Sequence, residues 1–66
     1  MSEEEVIKAI EDFGGRVEYN SFLGVWEVAC KSCLMVVWVH RGELIDMDVV
    51  EVQMALEQHY IEYGCF

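Results

Sequence analysis

The sequence has no proline, and only four of its 66 residues are Lys or Arg. That scarcity of bases argues against direct binding of nucleic acid or of an anionic membrane, since gripping phosphate takes a basic patch. No run approaches the ~20 consecutive apolar residues that span a bilayer. Cysteine occurs three times, an odd number, which excludes a framework in which every thiol is paired. No glycine-rich phosphate loop is present: Gly14-Gly15 follows an apolar-periodic segment and does not open one, so it cannot set a helix N-terminus on phosphate. Nor does any nucleophile come with a base and an oxyanion loop, and so short a chain has little room for a substrate pocket. A non-enzyme is the expectation.

What remains is apolar residues and acid. The hydrophobic fraction is 55%, and thirteen Asp and Glu give a formal charge of -9. The length allows one domain, 1–66, with no linker, and a domain this small must bury most of its apolar side chains. The start Ser2-Glu3-Glu4-Glu5 is the opposite of a signal peptide's positive start, so a cytoplasmic location is expected.

Periodicity predicts a helix from Ser2 to Phe13. Ser2 and Glu5 have the spacing of a capping box, Val6, Ile7, Ile10 and Phe13 form the apolar stripe, and Gly14-Gly15 is the stop. Strands are predicted from Arg16 to about Phe22, from Val25 to Cys30 and from Cys33 to His40, with Lys31-Ser32 as a two-residue turn and Leu44-Ile45 as an edge contact. Asp48 to Tyr63 reads as a second helix, Asp48 and Glu51 repeating the cap spacing and Gly64 ending it. Val49, Val52, Leu56, Tyr60 and Tyr63 give one stripe, which Val50, Met54 and Ile61 widen into a deeply buried helix. The fold class is α+β, in the order α-β-β-β-α: a three-stranded antiparallel meander with two helices packed mainly on one face.

The Lys31-Ser32 turn would set Cys30 opposite Cys33, Val28 opposite Met35 and Trp26 opposite Val37, and these six form an uncharged core face. Trp38 then lies on the other face with Val25, Leu34 and Val36, where an uncovered apolar patch suggests a homodimer or adaptor surface. Cys30-x-x-Cys33 has zinc-ligand spacing, and His59 with Cys65 is the available second pair, His40 being another candidate. A second closely spaced pair is missing, however, and the neighbours lack the Gly or Pro of a zinc knuckle. The expectation is therefore no metal, no cofactor and rim positions for His40 and His59, with a zinc-binding or thiol-redox protein as an alternative.

The acids outnumber any bases that could pair with them. Glu4, Glu11 and Asp12 lie on the first helix; Asp46, Asp48 and Glu51 cluster at the start of the second; Glu57 and Glu62 continue along it. Carboxylates one to two helical turns apart approximate the charge density of duplex DNA, about one charge per 1.7 Å of axis. The natural partner is a basic DNA-binding protein surface, with Trp38 or Tyr63 as apolar anchors. In size, charge and element order, and on the acids of Ser2-Glu3-Glu4-Glu5, Glu11-Asp12 and the Glu43–Glu62 stretch, the chain resembles small acidic anti-CRISPR proteins of phages that act on type I systems. That resemblance implies a DNA-mimic inhibitor that blocks target DNA or protospacer-adjacent-motif recognition by a surveillance-complex subunit in the bacterial cytoplasm.

Overall fold

A computed structural model describes residues 2–65. Helix α1 spans Glu3–Asp12. The Ser2 side chain accepts the Glu5 N–H and the Glu5 carboxylate accepts the Ser2 N–H, so the predicted capping box is formed. Strands β1 (Gly15–Asn20), β2 (Val25–Cys30) and β3 (Val36–His40) form an antiparallel meander in the order β1-β2-β3. A single 3-10 turn at Leu44–Asp46 leads into helix α2, Val49–Tyr63, which Asp48 caps by accepting the Glu51 N–H. Among the described residues no helix is long and apolar enough to cross a membrane.

Val28 of β2 shares one buried cluster with Val6 and Ile10 of α1 and with Val52 and Leu56 of α2. Both helices therefore lie on the Val28 face of the sheet, as the sequence predicts. Leu44 and Met47 complete this core. Leu44 was expected at a sheet edge, but the 3-10 turn swings it inward to 1% exposure.

The hairpin register departs from expectation. The turn after β2 is longer than two residues, and β3 starts only at Val36. Val28 faces Trp38, Trp26 faces His40 and Ala29 faces Val36, so that Val37 has no partner in the ladder. The partner of Val28 thus lies three positions further on than the expected Met35, and an odd shift exchanges the two faces of a strand. Trp38 is accordingly half-buried against the core, and Val25 pairs with Asn20 on β1. The first strand also stops early, because the Asn20 side-chain oxygen accepts the Phe22 and Leu23 N–H groups and turns the chain. On α2 the predicted second stripe is not buried: Val50, Met54 and Ile61 all face solvent.

Candidate metal centre

β2 ends at Cys30, where the chain doubles back. The Leu34 N–H donates to the Cys30 carbonyl at 2.8 Å, and the Cys30 N–H donates to the Met35 carbonyl at 2.9 Å. Closing so tight a loop puts Leu34 at φ 64, the one non-glycine in the left-handed region among the described residues. The same fold aims the backbone N–H groups of Ser32 and Cys33 at the Cys30 sulfur. The turn has neither the glycine nor the proline expected of a zinc knuckle, and Leu34 takes the left-handed position instead.

The other two donors come from the end of α2. His59 lies on its inner face with Val52 and Leu56 and is 4% exposed, not at a rim. Its Nε2 is 3.2 Å from the Cys33 sulfur, so the tautomer able to bind a metal carries its proton on Nδ1. The ring is flanked by Tyr63, with centroids 4.8 Å apart, and by Tyr60 at 6.2 Å. Gly64 then takes a left-handed conformation at φ 67 and donates its N–H to the Tyr60 carbonyl, which ends the helix and turns Cys65 back towards His59.

The ligand atoms of Cys30, Cys33, His59 and Cys65 all lie within 4.8 Å of one another. A tetrahedral zinc ion with sulfur at about 2.3 Å and nitrogen at about 2.0 Å needs edges of roughly 3.5–3.8 Å, so a small contraction closes the shell. None of the three cysteines is disulfide-bonded, and Cys30 is buried, Cys65 partly buried and Cys33 exposed.

The electrostatics of the thiols fit a cation. Burial alone would raise the Cys30 thiol, but the N–H groups of Cys33 and Ser32, joined by the Cys33 and Cys65 thiols, outweigh it and lower it to about 6. Cys65 goes the other way, to about 11, held up first by its bond to Cys33, then by burial, by its bond to Cys30 and by the charges of Cys30 and Cys33. Tyr60 nearby is raised by burial and then by the negative charges of Cys30 and Cys65. One thiolate forms readily, while further ionisation is opposed by the negative charge already there. A divalent ion removes that opposition.

His40 lies outside this cluster, with its Nε2 bonded to the Glu43 carbonyl at 2.8 Å. The expected acidic residues Glu4, Glu11, Asp12, Asp46, Asp48, Glu51, Glu57 and Glu62 are all exposed, as is Tyr63. Among the described residues the single ion pair joins Arg16 to Glu18, at 2.6 Å, and involves none of those eight. One signal for the His59 position was present in the sequence: it continues the Val52 and Leu56 spacing, which puts a polar ring on an apolar stripe, where it needs a partner.

Comparisons with protein-family models, with curated proteins and with solved structures find no match to this chain.

Proposed function

We propose that this chain is a non-catalytic binding domain stapled by a structural zinc ion held by Cys30, Cys33, His59 and Cys65. The observation that carries this is the convergence of four soft donors from the knuckle and the α2 terminus within 4.8 Å. Three thiolates and an imidazole favour zinc over magnesium or calcium, which take oxygen ligands. Four protein ligands leave no open position for water or substrate, so the metal's role is to hold the fold. A small domain with eight buried apolar side chains besides Cys30 among the described residues, and a charge of -9, gains much from such a staple. A reducing compartment such as the cytoplasm keeps the three thiols available.

The test is elemental analysis of protein purified without chelator, together with a thiol titration before and after denaturation. One zinc per chain, with the thiols protected until release, supports the proposal. Metal-free protein that takes up no zinc, with all thiols reactive, contradicts it.

The acidic surface supports a second reading, which concerns the partner. All eight carboxylates are exposed and in no ion pair among the described residues, an arrangement suited to a basic protein surface that otherwise holds DNA. Inhibition of a type I CRISPR surveillance complex by DNA mimicry remains the specific form proposed. Salt-sensitive recovery of that complex by the tagged chain, abolished by reversing Glu11 and Asp12, is the expected result. Recovery unaffected by salt and by the reversal would count against mimicry.

A further inference from the structure

We propose that the outer face of α2 is a docking surface for a basic amphipathic helix of a partner protein; this rests on the reading of the domain as an acidic binding module. The helix is apolar on two opposite sides. Val52, Leu56 and His59 face the core, while Val50, Met54 and Ile61 stand in solvent at 65%, 59% and 71% exposure. At 3.6 residues per turn these three fall in one line about 16 Å long, a little over three turns. No described residue covers them, and an apolar second face on a helix with one side already packed needs a covering partner. Met54 suits such a surface, because its thioether adapts to the shape of what packs on it.

The charge around the stripe selects the occupant. Glu57 interrupts the line, and Glu51 and Glu62 border it, all exposed. A second copy would bring the same acids and its own charge of -9 against them, which disfavours self-association through this face. A helix carrying apolar residues at i, i+4 and i+7 with Lys or Arg on the flanks satisfies both the stripe and its border. Beside Glu57 opens a recess of about 600 Å³ whose lining includes Asp12, Phe13, Glu57 and Tyr60. Two carboxylates and two aromatic rings are the lining that a Lys or Arg side chain takes up. Lys31 also borders the recess, but its Nζ is engaged by the Glu11 carbonyl at 3.2 Å.

The experiment uses the purified full chain and two synthetic peptides of identical Lys and Leu content. In one the leucines share a helical face; in the other the order is scrambled. Binding is followed by fluorescence anisotropy at low and high salt. The amphipathic peptide is expected to bind about tenfold or more tighter than the scrambled one, and Met54→Glu with Ile61→Glu to weaken it by about tenfold or more. Both positions are more than half exposed, so this variant should keep its fold, which a melting curve and its metal content check independently. Unchanged binding by that variant, or equal binding of the scrambled peptide, overturns the docking face. If the stripe variant binds normally while Glu51→Lys with Glu62→Lys does not, the acidic module stands and the docking face falls. If neither variant changes binding, both fall. Sedimentation showing a dimer that the stripe variant dissociates also overturns the proposal, by assigning the face to a second copy.

Discussion

Replacing Cys33 by serine separates the metal from the rest of the fold. Cys33 is exposed and lies 26 residues from its neighbour His59 in sequence. In the metal-free state the change from sulfur to oxygen at an exposed position costs little. In the loaded state it removes one of four ligands. Cross-linking a loop of that length lowers the entropy of the unfolded chain by an amount worth about 3.5 kcal/mol. A domain of this size has a total stability of roughly 3–10 kcal/mol, so the staple is a large share of it. For small domains each kcal/mol moves the midpoint by about 4–8 °C, which predicts that zinc-loaded wild type melts roughly 15–30 °C above zinc-treated Cys33→Ser. The assay is circular-dichroism melting of both proteins with zinc and with chelator, under reducing conditions. In chelator the two curves should coincide within a few degrees. Curves that coincide in zinc as well, or that differ equally in chelator, would refute the reasoning, because the cysteine would then act through packing or not at all.

Three further outcomes follow from the same geometry. A Cβ on Gly15 would sit 2.7 Å from Ile10 Cγ2 and 2.8 Å from Leu56 Cδ1, so Gly15→Ala should destabilise by about 1–3 kcal/mol in urea denaturation, and an unchanged midpoint would contradict this close packing of the start of β1 on α1 and α2. Leu34→Gly should stabilise by up to about 1 kcal/mol with metal content unchanged, since it relieves the left-handed backbone at an exposed position; a clear loss would mean the leucine side chain is needed. Metal-free stability should depend on pH through the thiols. Cys30 is lowered from 9.0 to about 6, so its contribution is full above about pH 9 and is lost as pH falls towards 6. Cys65 is raised from 9.0 to about 11, so its contribution is present below about pH 9 and is lost as pH climbs towards 11. Urea midpoints taken with reductant and chelator should therefore be highest near pH 9, and a flat profile from pH 6 to 9 would contradict the thiolate assignment.

Local signals carried the element boundaries. The Ser2–Glu5 and Asp48–Glu51 pairs mark both helix starts, and Gly14 and Gly64, with φ of 88 and 67, mark where the chain leaves them. β2 has the bounds its Val- and Trp-rich run predicts. The hairpin register was not legible, because it depends on the knuckle. Leu34 in a left-handed conformation is a choice that leucine disfavours locally and that only the surrounding loop imposes. Because the turn is longer than the two residues that the sequence suggests, the faces of β3 are exchanged, and Trp38 lies on the core side and not on an outer patch. The exposure of the second α2 stripe is not legible for a different reason: periodicity reveals that a helix face is apolar, but not whether this chain supplies what covers it.

The cluster of four donor groups was half legible. Cys30-x-x-Cys33 announces itself by spacing, whereas His59 and Cys65 are separated by six positions and by the end of a helix. Only the left-handed turn at Gly64 brings them to one point. The sequence has no second closely spaced pair, and in the folded chain the end of α2 brings His59 and Cys65 to the first pair instead.

The most direct test of the zinc staple is a cobalt titration of metal-free, reduced protein followed by absorption. One equivalent of Co²⁺ bound by three thiolates and an imidazole gives intense d–d bands in the red, together with thiolate charge transfer in the near ultraviolet, and stoichiometric zinc abolishes both. That spectrum, reaching its end point at one cobalt per chain and lost in His59→Ala, is the predicted result. Weak bands of octahedral type, or a full tetrahedral spectrum that survives in His59→Ala, would contradict the four-ligand site.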